Sequence, residues 1–324
     1  MSAPTLSAVR TLPSFPNVLR IRADESTPKY HPIFSFSDAD VILRSNQGTL
    51  YRIYSFTLRT TSGFFATMFS LPQPKASSQH PDERFSNRPQ PPSEILDVYE
   101  NDFPLESLLK LMSGLPIPRW SSLDEFEKVL GLAEKWDTPG PISTMRHSLN
   151  SKVFLETHAL RCFAIARHFG WDAEAKAAST QTLVLDLYDP VHTPIIDRMT
   201  SKDFLRLVEF HRRRRNLFRQ LLDSPERFAA GNSVPYHCNR CGVTVLDNYP
   251  WKEFKHAMFL EMERRPLGDT LGVVIGEAAD WPAARACWEA KCPKEDCGGL
   301  NYDRIATLRQ IRACVALLPS TVEL

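Results

Sequence analysis

Between Asp38 and Ser70 the spacing of apolar residues changes from a strand period to a helical one, and that change limits what this chain can fold into. Asp40-Val-Ile-Leu-Arg-Ser45 and Thr49-Leu-Tyr-Arg-Ile-Tyr-Ser55 are strand-like runs. They are joined by Asn46-Gln-Gly48, a short glycine-containing connection, and so predict a β-hairpin. Leu58, Thr61, Phe65, Met68 and Phe69 then recur at spacings of three and four, which predicts one helix over about Thr57–Ser70. The apolar stripe of that helix needs a sheet or another helix to cover it. Phe64 and Phe65 belong in that core, where each burial contributes about 2 kcal/mol; left exposed, they would be anchors for a partner.

Prolines punctuate the rest. Residues 1–33 are rich in Pro, Ser and Thr and predict a flexible tail, and 72–93 carry six prolines among polar residues and predict an exposed insertion. Structure is expected to resume with a strand at Glu94–Tyr99 and a helix at Leu105–Met112, closed by Gly114. Ser122 and Glu125 have capping-box spacing, opening a helix with Leu123, Phe126, Leu130 and Ala133 on one face that stops before Thr138-Pro-Gly-Pro141. One more helix is expected over Ile142–Asn150.

The stretch 151–227 is helix-like throughout, with Phe204, Val208, Phe218 and Leu222 on one face. Residues 228–324 form a third region with helices around Phe254–Met262 and along Ile305, Leu308, Ile311, Val315 and Leu318.

Several functions are disfavoured. Lys and Arg number 39 against 38 Asp and Glu, far from the basic excess that drives binding to phosphate backbones, so nucleic acid is not an expected partner. Arg212-Arg-Arg-Arg215 points around most of a helix, with Arg215 continuing the stripe of Phe218 and Leu222, so its stem is expected over apolar surface. The opening residues lack a secretory pattern and no run of about 18 apolar residues occurs, so neither export nor a membrane span is expected. An intracellular place, cytoplasmic or nuclear, follows as the expectation.

No catalytic residues are assigned. His158 and Cys162 lie four apart, but no third group orients them, and a packed helix face accounts for the pair. Gly268-Asp-Thr-Leu-Gly272 lacks the Lys-Ser/Thr of a phosphate loop.

The order strand, strand, helix, strand, helix, helix, with Asp38-Ala-Asp-Val-Ile-Leu43 leading into Leu58, Ser62, Phe64-Phe65 and Phe69, resembles the BTB (POZ) family. Leu123-Asp-Glu-Phe-Glu-Lys-Val-Leu-Gly-Leu-Ala-Glu-Lys-Trp-Asp137, Phe169-Gly-Trp-Asp172 and Leu183-Val-Leu-Asp-Leu187 are similar to the BTB-containing proteins of mushroom-forming fungi. The resemblance implies an α+β chain with a BTB/POZ fold over 34–150, a small sheet with packed helices, followed by a mainly helical C-terminal region. It further implies a non-enzymatic scaffold or adaptor that associates with itself, as a homodimer, or with another protein partner. In some members the partner is a cullin of a ubiquitin ligase. Tyr54 and Ser55 stand where the family often has His and Lys.

Seven cysteines without an export signal point to free thiols or a metal. Cys238 and Cys241, with Cys292 and Cys297, form Cys-x-x-Cys and Cys-x-x-x-x-Cys pairs whose spacings suit one tetrahedral structural zinc, with His237 or Cys287 able to replace a member. The pairs are fifty residues apart, beyond the roughly 15–20 of compact zinc modules, so folding would have to join them. Two other readings remain open. The cysteines fit ordinary thiols on a turn and in a loop opened by Pro293 and Gly298-Gly299, and with an open coordination position they would suit a metalloenzyme.

Overall fold

The computed structural model describes residues 29–71, 95–116, 119–271 and 281–324. Of the expected tail 1–33, residues 1–28 lie outside the described residues, as do the proline-rich segment 72–93 and Gly272; within 29–33, Tyr30 bridges to Leu50 and His31 stacks on Tyr51 at 4.9 Å. The fold is α+β, mostly helical with one small sheet.

Strands β1 (Val41–Arg44) and β2 (Leu50–Ile53) form the expected antiparallel hairpin, with Val41 opposite Ile53 and Arg44 opposite Leu50. Strand β3 (Ile95–Asp97) joins β1 in parallel, giving the order β2-β1-β3. Arg44 and Asp97, register partners on β1 and β3, add a two-pronged ion pair at 2.5 and 2.7 Å.

The single helix expected over Thr57–Ser70 is instead two, α1 (Ser55–Thr61) and α2 (Gly63–Ser70). Ser62 between them is extended, and its hydroxyl both accepts from the Phe65 amide at 3.2 Å and donates to the Trp136 carbonyl at 2.5 Å. A serine that caps one helix and ties down a distant carbonyl competes with helix continuation, which periodicity alone does not register. Leu58 and Phe65 are buried as expected, with Phe65 edge-on to Trp136 at 5.0 Å; Phe64 is not in the core but 47% exposed.

Helix α3 (Asp102–Met112) buries Leu105, Leu108, Leu109 and Met112 and ends at Gly114, whose positive φ of 66° suits glycine. Helix α4 (Leu123–Lys135) buries the four predicted residues and also Val129 and Leu132. Its capping box is half as expected: the Glu125 amide donates to Ser122 Oγ at 3.2 Å, but the Glu125 carboxylate accepts from the Ser121 amide rather than that of Ser122.

The chain continues through α5 (Pro139–Leu149), α6 (Lys152–Thr157), α7 (Ala159–His168), α8 (Asp172–Thr182), α9 (Thr193–Ile196) and α10 (Ser201–Asp223). It finishes with α11 (Ala229–Asn232), α12 (Tyr249–Arg264), α13 (Pro282–Glu289) and α14 (Arg304–Ala316). Among the described residues no helix is long and apolar enough to cross a membrane.

Two compact units are present. Of the described residues, the first holds those up to 116 with Lys135–Asp137, and the second holds 119–134 and those from Thr138 on. The first is centred on Leu43, Tyr51, Leu58 and Phe65. The second has a large apolar cluster in which Phe218 and Leu222 of α10 meet Trp251, Phe254, Met258 and Met262 of α12 and Ile311 and Cys314 of α14. Ile305 does not join that face as predicted: at 72% exposed it stands in solvent, on the first turn of α14.

On α10 the deeply buried arginine is Arg214, not Arg215. Arg214 donates to the carbonyls of Pro266 at 2.9 Å and Leu267 at 3.2 Å, and also to that of Pro319. Arg215 lies with its guanidinium 4.9 Å from the Phe259 ring centroid and pairs with Glu263, so its stem does cover apolar surface.

Candidate metal centre

Each cysteine pair sits on a short knuckle. In the first, His237 pairs with Val245, and the Cys238 amide donates to the Thr244 carbonyl at 2.9 Å. The Gly242 amide closes the turn onto the Cys238 carbonyl at 2.8 Å. The second repeats the plan: Lys291 pairs with Leu300, the Cys292 amide donates to Gly299 at 2.8 Å, and the Cys297 amide to Lys294 at 2.9 Å. Gly242 and Gly298, each just after the second cysteine of its pair, have φ of +69° and +56°, a conformation in which a side chain is strained.

Folding brings the two knuckles together despite the fifty residues between them. The sulfur of Cys238 is 3.6 Å from that of Cys297, that of Cys241 is 3.9 Å from that of Cys292, and all four lie within 4.8 Å of one another. A disulfide needs about 2.05 Å, and all seven cysteines are free. Four thiolates at about 2.3 Å from a zinc ion form a tetrahedron with edges of about 3.8 Å, which the observed spacings match. With Leu246 the cluster makes its own small core, in which Cys238, Cys292 and Cys297 are buried and Cys241 is partly so.

The surroundings favour thiolates unequally. Amides of Val243 and Thr244 hold the Cys241 thiol well below the usual range, at about 5, and those of Cys241 and Arg240 lower Cys238. The Gly299 amide acts the same way on Cys297, but burial and the neighbouring thiols outweigh it and push that group up to about 11. Four sulfurs this close cannot all ionise without a cation, and a divalent metal removes the conflict by deprotonating them outright.

The alternates proposed from sequence drop out. Cys287 belongs to the large apolar cluster, where burial pushes its thiol up to about 12, and the His237 ring is exposed and not among the gathered ligands. Cys162 is fully buried, its sulfur 3.5 Å from the Phe154 carbonyl, and burial pushes its thiol up to about 12; His158 is exposed. Cys162 packs as expected, but His158 shares no packed face with it and lies exposed between α6 and α7. Sequence reasoning took Gly298 only as part of a loop and passed over Gly242, and so missed a shared Cys-Gly ending that signals two turns of one kind.

Comparison with known proteins gives no matching family model and no matching curated protein.

Proposed function

We propose that this chain is a non-enzymatic protein-interaction protein, a scaffold or adaptor of BTB (POZ) type, with one structural zinc ion organising the end of its second unit. The observation that carries the interaction reading is the set of aromatic side chains left in water on the first unit. Phe36 is 58% exposed, Phe56 of α1 66% and Tyr99 79%, alongside the half-exposed Phe64 of α2. Such residues supply much of the energy of protein interfaces when a partner covers them. Strand β3 adds a short edge that begins at the exposed Ile95, suited to pairing with another strand. The succession of hairpin, helices, third strand and helix supports the BTB reading.

The four thiols support a structural zinc over a catalytic one, because they fill a tetrahedral shell and leave no position for water or substrate. Light scattering of the full chain over a concentration series, with affinity capture from native cells, tests the interaction reading. Association of the chain with itself or a discrete partner is expected, and Phe56→Glu with Phe64→Glu should abolish it. A monomer at every concentration, with a captured set unchanged by the substitutions, overturns the reading.

A further inference from the structure

The four gathered sulfurs are not equally sheltered. Cys238, Cys292 and Cys297 are buried, whereas Cys241 is open in part to solvent. A reagent arriving from water therefore meets the Cys241 sulfur first. The other three cysteines of the chain, Cys162, Cys287 and Cys314, are fully buried among apolar side chains and present no sulfur to it.

The short sulfur contacts at 3.9 Å, Cys241 to Cys292, and 3.6 Å, Cys238 to Cys297, both run from one knuckle to the other. A separate contact holds the knuckles face to face. Arg240 of the first donates to the Cys297 carbonyl of the second at 2.6 Å, and its side chain lies against Gly299, where a Cβ would fall 3.0 Å from that of Arg240. Sulfurs placed in this way reach the roughly 2.05 Å of a disulfide by closing about 2 Å, with no change of fold.

We propose that the cluster is an oxidation site for hydrogen peroxide, at which Cys241 reacts first and closes onto Cys292, so that a disulfide between the knuckles takes over from zinc. The inference rests on the structural-zinc reading above and gives that same site its regulation. The Cys241 thiolate sulfur attacks one peroxide oxygen; an S–O bond forms, the O–O bond breaks and hydroxide leaves. The Cys292 thiolate then attacks the Cys241 sulfur, an S–S bond forms, the S–O bond breaks and a second hydroxide leaves. Two thiolates have lost two electrons and one peroxide has gained them. With two of its four ligands spent, the site no longer holds zinc, and Cys238 and Cys297 take up protons from water. The new bond joins residues of different knuckles, so the oxidised chain keeps together the segments that a reduced, chelator-stripped chain lets part.

The test titrates the full, zinc-loaded chain with hydrogen peroxide while a coloured chelator reports free zinc and non-reducing peptide maps follow the thiols. About one peroxide should free one zinc, the first disulfide should be Cys241–Cys292, and Cys162, Cys287 and Cys314 should stay reduced. Hydrogen exchange should find 236–246 and 290–301 protected in the oxidised chain and open in the reduced chain stripped of zinc. Cys241→His keeps four ligands of kinds that zinc accepts and removes the first sulfur to react, so zinc release should slow about tenfold or more. Zinc kept against excess peroxide, a first disulfide within one knuckle, or release from Cys241→His at the native rate each overturns the proposal. The order of disulfides in the native chain decides the matter even if that variant holds no zinc. A chain without zinc before peroxide is added overturns the zinc reading and the proposal together, whereas a chain that holds zinc and keeps it overturns the proposal alone.

Discussion

His211 shows how much a single residue can carry outside any functional site. It is buried on α10, its Nε2 lies 3.1 Å from Thr182 Oγ1, and Arg214 stands one turn away, itself spent on three backbone carbonyls. Burial first, and the Arg214 charge second, hold the imidazole well below its ordinary value, at about 3. The unfolded chain therefore binds a proton below about pH 6.5 that the folded chain refuses until about pH 3. Stability from this residue is complete above the upper value and falls as pH drops through the window, by about 2 kcal/mol between pH 7 and 5. His211→Gln keeps a neutral partner for Thr182, so its denaturant midpoint should fall less than that of the native chain over the same interval. Equal acid slopes in the two proteins would rule this account out. Nothing in the sequence marked His211 or Arg214, because a run of basic residues reads as solvated until tertiary packing supplies carbonyls to hold one of them.

At the scale of elements, α3 and α4 were legible from their strong apolar period, and the hairpin, α12 and α14 from recurring apolar residues with proline, glycine or capping residues at their ends. The break at Ser62 was not, because its cause is a carbonyl seventy-four residues away. Gly63 depends on the same junction: its amide donates to the Asp137 carbonyl at 2.8 Å, and a Cβ there would strike the Asp137 carboxylate. The Asp137 side chain is exposed and can turn aside, so Gly63→Ala should cost at most about 1 kcal/mol in urea unfolding, and a loss above about 2 kcal/mol would mean that the junction is rigid. The cysteine pairs were visible as pairs, while their union depends on packing that the fifty-residue gap hides. Elemental analysis of the metal-replete chain should give close to one zinc per chain, with Cys292→Ser falling below about 0.2. Native protein at that lower figure would return the cysteines to ordinary thiols.

For the whole molecule, each compact unit encloses its own buried core, and only the second contains the thiol cluster. The two cores should therefore answer differently to a chelator. Zinc at a four-thiolate site contributes roughly 10–16 kcal/mol of apparent binding energy, and the knuckles have little else: beyond the four cysteines their core holds Leu246 and part of Tyr236. Removing the metal leaves thiols at 3.6 and 3.9 Å with conflicting ionisation, so the segments that carry them should separate. The apolar cluster around Trp251 and Phe254 holds none of the four cysteines but includes Tyr302, which follows the second knuckle along the chain, and should lose part of its protection. The first unit, built on Leu43, Tyr51 and Phe65, contains none of the four cysteines. Hydrogen exchange with and without a chelator reads these regions separately. Protection is expected to collapse at 236–246 and 290–301, to weaken along α12 and α14, and to stay unchanged in β1, β2 and α3. Uniform loss across both units would mean that they fold as one cooperative block, and no loss at the knuckles would mean that the thiols hold no structural metal.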